Sequence, residues 1–189
     1  MKTYSLIKQI LLGSILVLNL KLSFGADWPM WGRDGTRNMV SDEKNITLDF
    51  NPGEMNDDEV VDMKTTNNVK WVAKLGSQAY GNVTIGNGCV FVGTNNESPR
   101  DSGKIGDRGV VMCLDEKTGE LKWQLVIPKL GAGKVSDWEY IGICSSAAIE
   151  GDKVYVVTNR CEVVCLDING LADGNDGPFK DEAAYVRPK

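Results

Sequence analysis

Cys113-Leu114-Asp115-Glu116-Lys117-Thr118-Gly119-Glu120-Leu121-Lys122-Trp123 decides the fold. Residues 110–114 are apolar and rich in β-branched side chains, as a buried strand requires, and residues 121–127 read as a second strand. The polar stretch 115–120 between them therefore reverses the chain. Asp115 can accept hydrogen bonds from the backbone N–H groups ahead of it, Gly119 can take the positive φ that closes such a loop, and Thr118 adds a side-chain cap. Trp123 then brings a large flat ring that one antiparallel sheet can bury only against another sheet.

The same pieces recur along the chain. Val69-Lys70-Trp71-Val72 returns as Leu121-Lys122-Trp123-Gln124, and Cys113-Leu114-Asp115 as Cys165-Leu166-Asp167, both at an offset of 52 residues. Ile85-Gly86-Asn87-Gly88-Cys89-Val90-Phe91-Val92 returns as Ile149-Glu150-Gly151-Asp152-Lys153-Val154-Tyr155-Val156 at 64, which places an insertion within 135–141, between one unit and the next. A period of about 50 built from short strands belongs to propellers rather than to helical solenoids. An antiparallel sandwich is the alternative, and the matched repeats weigh against it. The reading is an all-β chain: a lone strand at 68–75, a four-stranded antiparallel blade at 79–85, 88–94, 109–115 and 121–127, and three strands of a second blade at 140–149, 153–158 and 162–167. Nothing reads as a substantial helix. The loop 95–108 is polar and long enough to have a function of its own.

The spacing of Asp115, Thr118, Gly119 and Trp123 resembles the tryptophan-docking repeat of the pyrroloquinoline-quinone (PQQ) β-propellers, the quinoprotein alcohol dehydrogenase-like family, with Cys113 where that family usually has Ala. Trp28-Pro29-Met30-Trp31-Gly32-Arg33-Asp34, followed by Arg37 and Ser41, is similar to the opening that many exported members carry after the signal sequence, with a shorter spacing to Arg37. The likeness spans most of residues 27–170. It implies a β-propeller of four-stranded blades. Propellers have about four to eight blades and this chain holds fewer than two, so the expectation is an incomplete ring, the N-terminal fragment of a longer product, with assembly of several copies as the alternative.

Two functions follow from the resemblance: an exported propeller acting as a binding or scaffold module, or the N-terminal part of a PQQ-dependent dehydrogenase. Whether the chain is an enzyme stays open, because propellers host many functions. The dehydrogenases use PQQ with calcium, a carboxylate base and often two adjacent cysteines against the cofactor. No Cys-Cys pair occurs here and no catalytic motif matches, so no catalytic residue and no metal ligand is transferred, and no cofactor is expected for this segment alone. Any ligand, a small molecule or a protein, would bind at the central channel or its mouth. The candidates there are Gln78, Tyr80 and Asn82, which alternate along one strand face, with Ser145 and Ser146 in the second unit.

The N-terminus carries an address. Lys2 and Lys8 flank a basic start, 10–20 is an apolar run, and Ser23 and Gly25 are small residues where a signal peptidase reads, so residues 1–25 are expected to be removed before Ala26. The run is short of the roughly 20 apolar residues that span a bilayer, and the next cysteine is Cys89, which argues against a lipoprotein anchor. The resulting division is 1–25 signal peptide, 26–67 lead-in and 68–189 blades, with a periplasmic or secreted location and no membrane contact after cleavage. Cleavage removes three lysines and no acid, taking the formal net charge from −5 to −8. An acidic chain without a basic run is a poor binder of nucleic acid or anionic membranes.

There is no His, which excludes His-based triads, bases and metal sites within this chain. Five cysteines leave an odd one. Cys161 and Cys165, read on one strand, stand about 13 Å apart, too far for a disulfide. Cys89 and Cys113 lie on neighbouring strands and could meet only in a favourable register. Cys113 and Cys165 read as small buried hydrophobes. Asp167, Asn169, Asp173, Asn175 and Asp176 gather oxygen ligands without the order of a calcium loop, and read as a solvated turn.

Overall fold

The computed structural model describes residues 26–131, 138–174 and 177–178; the signal-peptide reading at 1–25 lies outside them, as do Asn175 and Asp176. The described residues form three antiparallel sheets and one short 3-10 turn. A small hairpin pairs β1 (Glu54–Met55) with β2 (Val61–Asp62) in the lead-in, just before the turn Met63–Thr65. The first blade is a meander of β3 (Thr84–Gly86), β4 (Cys89–Asn95), β5 (Arg108–Asp115) and β6 (Leu121–Pro128). The second has β7 (Ala148–Glu150), β8 (Lys153–Val157) and β9 (Val163–Asp167). β3 and β7, the first strand of each, lie against one another. This is an incomplete β-propeller, with fewer than two blades.

β4 and β5 are buried along almost their whole length because they are covered on both faces. One face, with Cys89, Phe91, Val111, Cys113 and Ile127, packs on the second sheet through Ile143, Ile149, Val154 and Val156. The other, with Val90, Val92, Val110, Met112, Leu114 and Val126, is covered by Trp71, Ala73 and Leu75. Among the described residues the second sheet has no such cover. Val157 is 49% and Val163 73% exposed, and Cys165, read as a buried hydrophobe, is exposed too. Cys113 points between the blades, whereas its repeat counterpart Cys165 points from the last described strand toward water.

Three segments read as strands differ in the structure. Residues 68–75 keep the two-residue burial rhythm, with 71, 73 and 75 half-buried and 70, 72 and 74 exposed, but have no ladder, because a strand needs a hydrogen-bonded neighbour and this segment meets the sheet only through side chains. The innermost strands, read as 79–85 and 140–149, shrink to three residues each. Their preceding backbone is bonded elsewhere: Gly76 N–H donates to Thr94 Oγ1, Ser77 N–H to Asn95 Oδ1, Asn82 N–H to Ser146 Oγ and Tyr140 N–H to Asp107 Oδ2. Residues 27–29 fill part of that gap. Trp28 and Ile85 exchange N–H···O bonds of 2.9 and 3.0 Å, and Pro29 O accepts from Ile149 N–H at 2.7 Å, so the lead-in tethers both innermost strands.

Candidate functional site

The antiparallel order puts the starts of β3 and β7 at the same end as the finish of β4 and of β8, together with the loop 96–107. All five sequence-predicted ligand candidates fall at this mouth. Tyr80 is 62% exposed, and its hydroxyl donates to Gln78 Oε1 at 2.7 Å. Residues 78–82 precede β3 rather than form part of it, so the shared strand face is replaced by this direct side-chain contact. Asn82 N–H donates to Ser146 Oγ at 2.9 Å, joining the two blades, and Ser145 Oγ–H donates to Val157 O at 2.7 Å. Between them the chain passes close: a Cβ on Gly81 would stand 2.6 Å from Ser145 O.

The mouth is held by two residues that the sequence reading did not single out. Thr94 and Asn95, 0% and 1% exposed, end the apolar run of β4. Thr94 Oγ1 donates to Gln78 O at 2.7 Å. Asn95 Nδ2 donates to Ser77 Oγ at 2.9 Å and to Tyr140 O at 2.6 Å, while its Oδ1 accepts from Ser77 and Glu97 N–H. One buried amide thus fixes the approach to β3, the start of the long loop and the linker between the blades. Two polar residues continuing a buried apolar strand were the available signal, since such groups persist in a core only when bonded. Beside them is a shallow cleft of about 460 Å³ lined by Glu59, Lys74, Glu97, Ser98, Pro99 and Arg100. Partial burial lowers the pKa of Arg100, and its guanidinium donates to Lys74 O.

The opposite end carries the docking turns. Asp115 Oδ1 accepts from Lys117 N–H (2.9 Å), Thr118 N–H (3.0 Å) and Thr118 Oγ1–H (3.2 Å), and Gly119 has φ +74°. Onto this turn sits Trp71, whose Nε1–H donates to Glu116 O at 3.0 Å; a Cβ on Gly119 would be 2.5 Å from its ring. Trp123 repeats the arrangement one blade on, donating to Ile168 O at 2.9 Å with its ring against Gly170. Asp167 and Asn169 therefore belong to a docking turn, Asp167 Oδ1 accepting from Asn169 N–H at 2.7 Å. The Asp115, Thr118, Gly119 and Trp123 spacing thus builds one ring seat and supplies the ring for the next.

The backbone N–H groups of Thr118 and Lys117 hold the Asp115 carboxyl below the usual carboxylate range. A carboxyl lowered on folding contributes stability above its unfolded value, about 3.9, and loses it as pH falls through the lower folded value. The melting temperature should therefore drop as pH falls below about 4, and Asp115→Asn should flatten that drop. An identical pH profile for variant and wild type would show that the turn carboxylate does not couple to folding.

The five mouth candidates are neutral hydroxyls and amides; Tyr80 with Gln78, the Ser146 hydroxyl and the Ser145 hydroxyl are engaged within the protein. They supply no carboxylate, and so do not fit a quinone–calcium group by themselves. Among the described residues no cluster of three or more His, Cys, Asp or Glu is placed to hold a metal, and no helix is long and apolar enough to cross a membrane.

Successive tryptophans seated on successive turns define a tryptophan-docked, incomplete β-propeller. No protein-family model matches the chain, and no curated protein matches it. Among solved structures it is similar to the crystal structure of BamB from Moraxella catarrhalis, at 26% identity and a TM-score of 0.32, over 49% of this chain and 22% of that one. The chain thus spans about a fifth of the solved chain's length.

Proposed function

We propose that this chain is the N-terminal part of an exported PQQ-like β-propeller that works as a binding or scaffold module, taking a small molecule or a protein at the mouth where β3 and β7 begin. The observation that carries the reading is the make-up of that mouth. The five candidate side chains are neutral, with Tyr80 bonded to Gln78 and Ser146 to the Asn82 backbone, so they hold a shape rather than move protons, and Tyr80 offers an exposed ring with a hydroxyl fixed by Gln78. An amphipathic ring in a fixed orientation recognises a partner at little entropic cost. Export rests on the basic start, the apolar run and the Ser23 and Gly25 pair.

The second reading, the opening part of a PQQ-dependent dehydrogenase, is favoured by the docking turns alone. Equilibrium titration with PQQ and calcium of the complete propeller to which this chain would belong separates the two, because an axial quinone site draws groups from several blades. The binding-module reading expects no saturable quinone binding in the low micromolar range. Saturation in that range would replace it with the enzyme reading.

A further inference from the structure

Three strands of the first blade bring a lysine and two cysteines together. The register pairs Cys89 of β4 with Asp115, and Phe91 with Cys113 of β5, so the cysteines share a face, offset diagonally by two residues. Beyond β5 the ladder slips: Cys113 faces Trp123 and Leu114 faces Leu121, which leaves Lys122 as the extra residue of a β-bulge in β6. Bulges re-aim the side chains they carry. Here Lys122 Nζ reaches back across the sheet and donates to Cys89 Sγ at 3.2 Å. Cys89 is 2% and Cys113 0% exposed, while Lys122 is exposed, so the Cys89 thiol lies at the rim of the core beneath an ammonium group.

Buried cysteines are ordinarily inert because a thiolate is costly away from water. Cys113 follows that rule: burial first, and then the neighbouring Cys89, push its thiol far up. Cys89 differs in having a cation in hydrogen-bond contact, and that bond is the first cause of the upward shift of Lys122. We propose that Cys89 is a peroxide-oxidisable thiol whose reaction is assisted by the Lys122 ammonium that donates to its sulfur, and that its product is a persistent sulfenic acid rather than a disulfide with Cys113. The Cys89 sulfur attacks one oxygen of hydrogen peroxide, an S–O bond forms as the O–O bond breaks, and the departing hydroxide takes up the proton released by the thiol. Sulfur gives up two electrons, the peroxide accepts them, and thiol plus peroxide become sulfenic acid plus water. Persistence follows from the register. The Cys113 thiol is in side-chain contact with Cys89, but diagonal neighbours in a sheet stand about 7–8 Å apart, past the roughly 4.4–6.8 Å that disulfide Cα atoms span, so the sulfurs touch without bonding unless the backbone moves.

The test treats the folded full chain with hydrogen peroxide in the presence of dimedone and maps the adduct onto each cysteine peptide. Cys89 should be labelled at least about tenfold faster than Cys113, its equally buried internal control, and Lys122→Met should slow Cys89 by a similar factor, the worth of a hydrogen bond to a charged group. Lys122→Arg, which keeps the charge, should restore part of the rate. Cys89 as unlabelled as Cys113, Cys89 labelling unchanged in a folded Lys122→Met variant, or a Cys89–Cys113 disulfide peptide in place of the adduct would each overturn the proposal. The wild-type comparison of Cys89 with Cys113 decides the matter even if Lys122→Met fails to fold.

Discussion

Trp123→Ala is expected to cost roughly 3–5 kcal/mol of folding free energy, the range for truncating a packed aromatic ring. The ring joins the two blades twice, lying against Gly170 in the turn after β9 and donating to Ile168 O at 2.9 Å, and within its own blade it tilts against Phe91 with centroids 5.8 Å apart. Trp123→Phe separates these contributions. It keeps a ring in the seat but loses the Nε1–H donor, leaving Ile168 O short of a partner, so it should cost about 1 kcal/mol from that bond plus a smaller packing loss. Denaturant unfolding of the two variants measures both. A Trp123→Ala midpoint equal to wild type would mean that the ring does not dock in solution.

What was legible in the sequence was what is local or covered on both faces. The Asp115-to-Trp123 spacing reported a turn and a ring because the Asp115 and Thr118 side-chain bonds that close the turn lie within five residues. β4 and β5 matched the apolar runs to within a residue or two, since burial from both sides leaves an unbroken signature. The innermost strands were over-read for the opposite reason. Between 76 and 82 and again near 140, the backbone is satisfied by side chains far along the chain, such as Asn95 and Ser146, and alternation in the sequence carries no record of that. The same holds for Trp28 and Pro29, which pair with Ile85 and bond to Ile149 across more than 50 residues. Of the candidate site, the five candidates were chosen as residues of innermost strands, whereas in the structure they precede β3 and β7 and lie together at one end of the sheets. Thr94 and Asn95, which hold the mouth together, sit at the end of a strand whose apolar run drew attention away from its last two residues. Lys122 facing Cys89 was out of reach, because a one-residue bulge decides which way Lys122 points.

The blades also meet through backbone, and this gives the second large effect. Ile143, fully buried, lies directly over β4, its N–H donating to Thr94 O at 3.3 Å. That approach depends on glycines on both sides: a Cβ on Gly93 would be 2.4 Å from Ile143 O, and one on Gly142 would be 2.3 Å from Thr94 O and 2.5 Å from Asn95 N. Gly142 also has φ +74°. Gly142→Ala therefore carries two penalties, about 1–2 kcal/mol for a side chain in the left-handed region and roughly 1–3 kcal/mol for an overlap that only backbone movement relieves. Gly151, in the turn between β7 and β8, separates them, since it has φ +59° but open space around its Cβ position. Gly151→Ala should show the conformational penalty alone. Gly142→Ala should be the more damaging of the pair by at least about 1 kcal/mol, and it should also free Asn95 and loosen the mouth, visible as faster amide exchange at Ser77 and Glu97, whose N–H groups Asn95 holds. Equal destabilisation of the two variants would mean that the blades do not approach through Gly142, and the packing of Ile143 between them would have to be abandoned.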